Sequence, residues 1–330
     1  MSEYQYYDFR ALDRPLTAAE RTALRKISTR AEISTKRFTN FYTFGDFKGD
    51  PPALVARHFD AFLYLASWGT REVIFRVPAS RAPSEQLLRA HLSTSVSSSA
   101  WFRRRGPSVV LGFRSEDEEG DWESDGEGEL DSIVSARSGL LNGGGRLLYL
   151  AWLVRVQAGE IAESTPEPEV PAGLGRPSAS ESALAEFLRI DPDLIGAAAQ
   201  RPIGRGSKAR RTVEHLLSAA KALRRETDQR AEDEAQRERE QREAADAIVR
   251  ARRLHAIAAR EPDAWKEVEG LVNSRRPAAY DQATALLHDL REISDRNGCL
   301  PKFSALLDGL RERHRAKETF LTRLDRIGPT

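Results

Sequence analysis

Between Arg224 and Ala247 the chain carries no aliphatic side chain larger than alanine, and neither proline nor glycine. Such a stretch cannot bury itself in a core, yet alanine, glutamate, arginine and glutamine are strong helix formers. The spacing supports the same reading. Glu226 and Arg230, Arg230 and Glu234, Asp233 and Arg237, Glu238 and Arg242, and Arg239 and Glu243 are opposite charges four residues apart, and each such pair adds a few tenths of a kcal/mol to a helix. A solvated helix over this stretch would span roughly 36 Å at about 1.5 Å per residue. It has no a and d apolar positions, so it has no coiled-coil seam.

The apolar residues return after this helix at helical spacing. Leu254, Ile257, Trp265, Val268, Leu271 and Val272 form one group; Tyr280, Ala283, Leu286, Leu287, Leu290 and Ile293 a second; Phe303, Leu306, Leu307 and Leu310 a third; Phe320, Leu321, Leu324 and Ile327 a fourth. Successive helices of this length predict a bundle of tetratricopeptide (TPR)-like form, without the full repeat consensus. Trp265, Tyr280, Leu287, Phe303 and Phe320 are its candidate protein-docking residues.

The first 115 or so residues alternate between the two periodicities. Tyr4 to Leu12 reads as a strand. Thr17 and Glu20 have the spacing of a capping box and open a helix. Ile33 to Phe44 reads as extended and ends in the turn formers Gly45 to Pro52. Leu54 to Leu65 follows at helical spacing, with Trp68-Gly69-Thr70 as its end. Glu72 to Val77, Trp101-Phe102 and Val109 to Phe113 read as further strands, with a short helix at Glu85 to Leu92. The expected fold class is therefore an α+β N-terminal sheet domain, its helices packed on one face. An all-α C-terminal half follows, with a long charged helix and the TPR-like bundle. The expected domains are 1–162, ending in a helical pair joined at Asn142 to Gly145; a proline-rich linker at 163–180; a small helical unit at 181–200; a basic linker and charged helix at 201–253; and the bundle at 254–330.

The tail segments Tyr280 to Arg291, Leu310 to Lys317 and Phe320 to Asp325 resemble the helical tail of bacterial SWIM zinc-finger proteins. The whole chain also resembles a bacterial, actinobacterial protein family of uncharacterised function. The finger needs a Cys-x-Cys and Cys-x-His set, whereas this chain has one cysteine, Cys299. The resemblance therefore implies a shared helical docking module and carries over no metal or nucleic-acid role.

Charged residues make up 31% of the chain, but the net charge is only +1. No global field draws it to nucleic acid, so any such contact must come from local patches. Trp101-Phe102-Arg103-Arg104-Arg105 combines aromatics with cations that stack bases and bind phosphates; a solvated strand edge is the alternative. Lys208, Arg210 and Arg211, with Arg201 and Arg205, form a second basic cluster, whose alternative is an ordinary helix start.

The acidic stretch 116–131 includes Asp121 to Gly126, an imitation of a calcium-loop start, but Ser132 stands where the bidentate glutamate belongs. Gly143-Gly144-Gly145 precedes a helix but lacks the lysine and hydroxyl residue of a phosphate loop. Asp46, Lys48 and Asp50 form a charged turn that would suit a nuclease-like carboxylate site or simply a turn. The six histidines have no ligand-like spacing. No catalytic, metal or cofactor motif stands out. With a single thiol, no basic and apolar leader and no run of about 18 apolar residues, the expectation is a cytoplasmic protein without a membrane segment. Protein partners are expected first and nucleic acid second. The expected role is a non-catalytic adaptor; the alternatives are an accessory subunit of a nucleic-acid machine and an enzyme with a dispersed site in the N-terminal domain.

Overall fold

Alternation along Gln5-Tyr6-Tyr7-Asp8-Phe9-Arg10 sends Tyr7 and Phe9 to one side and Tyr6 and Asp8 to the other, and this strand, β1 (Gln5–Arg10), lies inside a sheet rather than at its edge. The computed structural model describes residues 4–117, 125–200, 210–274 and 276–327. They form two compact units, Met1–Asp228 and Gln229–Thr330.

The first unit holds a seven-stranded antiparallel sheet. Its strands are β1, β2 (Glu32–Ile33), β3 (Arg37–Tyr42), β4 (Ala61–Ala66), β5 (Thr70–Pro78), β6 (Ala100–Arg105) and β7 (Ser108–Glu116), in the order β2-β3-β1-β4-β5-β7-β6. The register aligns Phe38, Phe9, Phe62, Ile74, Gly112 and Trp101 in one row across the sheet. Phe9 and Phe62 pack with ring centroids 4.4 Å apart, and Phe9 meets Phe38 edge-on at 5.4 Å, contacts that add to simple burial.

Helices cover both faces, not one as expected. The Phe9 face packs on α1 (Ala18–Ile27) and α2 (Pro51–His58), through Leu24, Leu54 and Val55. The capping box forms: Thr17 Oγ1 accepts from the Glu20 amide, and Glu20 accepts from the Thr17 amide. The opposite face, with Leu63, Val73, Phe75 and Leu111, packs on α3 (Glu85–His91), α4 (Glu129–Ile133), α5 (Arg137–Leu141), α6 (Gly145–Gln157), α7 (Ala179–Phe187) and α8 (Pro192–Ala199). Helix α6 buries Leu147 through Val154 almost without interruption, because neighbours surround it.

Two expectations are corrected here. The helix expected over Leu54 to Leu65 stops at His58; Phe59 is already extended, and Phe62, Leu63 and Leu65 belong to β4. β4 lies between β1 and β5 with both faces covered, so its run Ala-Phe-Leu-Tyr-Leu-Ala lacks the alternation of a half-exposed strand. Residues 163–200 are not a linker and a separate unit. Leu174, Leu184, Phe187, Leu188, Ile190 and Leu194 share the buried cluster of Leu63, Phe75 and Leu148. The proline-rich segment is fixed by antiparallel pairing: the Glu167 amide donates to the Arg211 carbonyl at 2.7 Å, and the Val213 amide to the Thr165 carbonyl at 3.1 Å.

Helix α9 (Val213–Ala258) is continuous over 46 residues. Its first turns give Val213, Leu216 and Ala220 to the sheet domain's core. From 224 to 247 its side chains are exposed, save a half-buried Ala235, as the absence of an apolar face requires. In the second unit, its last turns give Leu254 and Ile257 to a core completed by α10 (Glu261–Asn273), α11 (Pro277–Arg296), α12 (Leu300–Arg313) and α13 (Glu318–Leu324).

Candidate partner-binding surface

The ends of three strands expose large aromatic rings close to one another. The Tyr4 amide donates to Ser67 Oγ, and the Ser67 amide to the Tyr4 carbonyl, both at 3.0 Å. This tie sets Tyr4, just before β1, beside Trp68 in the β4–β5 turn. The turn needs Gly69, at φ 96°: a Cβ there would collide with the Asp117 carbonyl. Tyr4 also stacks on Phe41 of β3, centroids 5.6 Å apart. Phe41 remains 47% exposed, Phe44 67% and Trp68 45%. The Arg30 guanidinium lies 4.3 Å over the Phe44 ring, a cation–π contact.

Beside these rings is a cleft of about 380 Å³ whose walls include Tyr6, Arg30, Arg37, Phe41, Glu32, Asp125 and Glu127. Arg37 is committed: its Nη2 lies 2.9 Å from Asp8 Oδ2 and 2.9 Å from the Tyr6 hydroxyl. Asp8 is fully buried, and burial raises its pKa although Arg10 and Arg37 pair with it. Burial, with the Asp8 charge, also pushes the Tyr6 hydroxyl up to about 12. Glu32, Asp125 and Glu127 are exposed and have no ion-pair partner among the described residues. Against Arg30, its three exposed carboxylates leave the cleft net acidic, beside an aromatic rim.

Strand alternation separates the arginine triplet at β6. Arg104 points to the α3 side and pairs with Glu85 at 2.8 Å, while Arg103 and Arg105 share the opposite side. Arg104 and Arg89 hold the Glu85 carboxyl below its usual range. Arg89 also stands 6.0 Å from the Phe102 ring.

The second basic cluster is not brought together as a phosphate site. Lys208, Arg201 and Arg205 lie outside the described residues. Arg210 is exposed, but Arg211 is drawn inward, bidentate to Glu167 at 2.6 and 2.7 Å, and donates to the Ala197 carbonyl. A guanidinium so engaged has no fork left for a phosphate. The bundle residues are corrected as well. Tyr280, Leu287, Phe303 and Phe320 are buried in the second core, and Trp265 is half-buried against Phe303 at 5.7 Å. The apolar stripe is already covered by the chain's own helices.

The Asp46 to Asp50 turn is structural. Asp46 accepts from Gln5 Nε2 at 3.1 Å, and Asp50 caps α2 through the Ala53 amide at 3.1 Å. Gly143 and Gly144 take positive φ, at 105° and 62°, and Gly144 caps α6. In the calcium-loop imitation, 121–124 lie outside the described residues and Ser132 sits in α4. No metal-ligating cluster occurs among the described residues. No described helix is long and apolar enough to cross a membrane. The aromatic rim was not identifiable from the sequence, although Phe41, Phe44 and Trp68 beside turn formers were its visible trace. Compared with family models, curated proteins and solved structures, the chain finds no match.

Proposed function

We propose that the protein is a non-catalytic adaptor whose sheet domain docks a basic, apolar segment of a protein partner. The carrying observation is the cleft of Glu32, Asp125 and Glu127, with exposed Phe41 in its wall and its lining Arg30 set over exposed Phe44. Exposed aromatic rings supply contact area at low entropic cost, and the carboxylates, in excess over Arg30, select a cationic partner. The terminal bundle is the second module, and the charged stretch of α9 is the spacer. That α9 supplies side chains to both cores while 224–247 stays solvated supports this reading. A cytoplasmic setting fits the exposed free thiol of Cys299.

The test is cross-linking mass spectrometry on the full chain in its host cells, with wild type beside a Phe44→Ala/Glu127→Lys variant. One defined partner, cross-linked near the cleft through a lysine- or arginine-rich peptide and lost in the variant, is the expected result. Equal recovery of partners by both proteins would remove the cleft from the account.

A second reading, as an accessory subunit of a nucleic-acid machine, is favoured by one observation: Arg103 and Arg105 stand exposed on the same side of β6. Salt-dependent binding of single-stranded RNA or DNA, lost on replacing Arg103, Arg104 and Arg105 with glutamine, would support it. No binding at low salt would end it.

A further inference from the structure

A different cleft lies on the α3–α6 side of the sheet domain, and its floor is built around a buried histidine. His91 closes α3 and is only 3% exposed. Its Nδ1 lies 2.9 Å from the Leu87 carbonyl. A carbonyl only accepts, so Nδ1 carries the proton of the neutral ring and Nε2 holds a free lone pair. No described group hydrogen-bonds Nε2. Burial lowers the His91 pKa, which keeps the ring neutral and accepting. His91 lines a cleft of about 550 Å³, a volume typical of small-molecule sites.

The surroundings hold this imidazole rigidly. Arg155 donates to the His91 carbonyl at 3.2 Å. Tyr149 meets the ring edge-on at 6.3 Å and packs on Trp152 at 5.4 Å. The Tyr149 hydroxyl donates to Glu167, which Arg211 grips with both arms of its fork. The same Glu167 belongs to the 165–167 segment paired with 211–213, so the far wall is fixed too. Leu87, Pro166 and Pro168 give the cleft its accessible apolar surface, with Trp152 buried behind them. Arg210 and Glu169 both line the cleft and are exposed, and Arg210 has no ion-pair partner among the described residues.

A buried acceptor, apolar walls of Leu87 and two prolines, and an unpaired cation define a ligand. We infer that this cleft binds a small planar molecule with an N–H or O–H donor on its ring and an anionic arm. The ring lies against Leu87 and the prolines, its donor reaches His91 Nε2, and the anion meets Arg210. This site goes beyond the adaptor reading: it is a second binding function of the sheet domain and does not involve the aromatic rim.

The experiment follows the His91 imidazole carbon–proton signals by NMR on the full chain. The probes are two panels, nucleoside monophosphates and aromatic carboxylates, which separate a phosphate arm from a carboxylate arm. Saturable shifts of the His91 signals by members of one panel are expected. Affinity should fall about tenfold or more, or 1.4 kcal/mol, in both His91→Phe and Arg210→Gln. His91→Phe removes the acceptor, and Arg210→Gln changes only an exposed side chain, so a folding defect in the first leaves the second decisive. Absence of saturable shifts with both panels, or undiminished affinity in Arg210→Gln, overturns the inference.

Discussion

The indole of Trp101 lies across the backbone of Gly112 on the neighbouring strand, so closely that a Cβ at position 112 would fall 2.3 Å from the ring. The aromatic row continues from Phe62 through Ile74 to this indole because β7 presents no side chain at that point. Gly112→Ala should therefore destabilise the sheet domain by about 1–3 kcal/mol, the usual cost of overpacking. Urea denaturation followed by tryptophan fluorescence would show it; an unchanged midpoint would mean the indole swings aside freely.

A buried ion network joins four parts of the sheet domain. Asp60, 1% exposed, accepts from the Leu12 and Asp13 amides at 2.7 and 2.9 Å and from Arg76 at 2.5 Å. Arg137 on α5 reaches Asp13 at 2.7 Å, Asp60 at 3.5 Å and the Arg76 carbonyl at 2.7 Å. Removing one member leaves buried charge uncompensated. Asp60→Ala should cost about 3–5 kcal/mol, measured as the shift in thermal unfolding against wild type. A loss within error would show that water replaces the carboxylate.

Glu72 gives a pH dependence. Burial pushes its carboxyl up to about 7, although Arg114 and Trp101 favour the charged form. The folded pKa lies above the unfolded value of 4.5, so the native state binds the extra proton between these two values. Stability contributed by this group therefore falls as pH rises from 4.5 toward 7 and stays low above that. Glu72→Gln should remove this slope and leave the variant more stable than wild type at alkaline pH, by at most about 3.4 kcal/mol at about 1.36 kcal/mol per pH unit. Denaturation midpoints of both proteins across acid to alkaline pH test it; parallel curves would sink it.

Helix α9 can be broken without touching a core. Ala231 is exposed, and proline inside a helix costs about 3 kcal/mol. Ala231→Pro should lower the helical far-ultraviolet signal while the near-ultraviolet signal of buried Trp101 and Trp152 stays unchanged. A change in both would show that the charged stretch helps hold the sheet domain.

Local signals were the readable ones. The Thr17–Glu20 capping box and the Asp50 cap each lie within four residues of their partners, and both form as their spacing indicates. The charged stretch of α9 could also be read directly, because a helix with no apolar face has nowhere to bury itself. Features that depend on distant segments could not be read. The run at β4 looks helical until β1 and β5 flank it. The stripe of Tyr280, Leu287 and Phe320 reveals an apolar face, but not that neighbouring helices already cover it. Arg211 is basic in sequence and neutralised in space, by Glu167 44 residues away. The aromatic rim and the His91 cleft assemble from segments far apart in the chain, so no local pattern announced them.

The two margins of the sheet are unequally protected against self-association. At one, β2 is only two residues long and offers little backbone to a second chain. At the other, the first half of β6 is screened: the Ser93 amide donates to the Ala100 carbonyl, and the Phe102 amide to the Ser93 carbonyl. Beyond that screen the edge continues through Arg103, Arg104 and Arg105, where no further strand pairs with it among the described residues. A second β6 laid alongside would bring like charges together and strip their water. Charges placed in this way disfavour the templating of aggregates by an otherwise open strand.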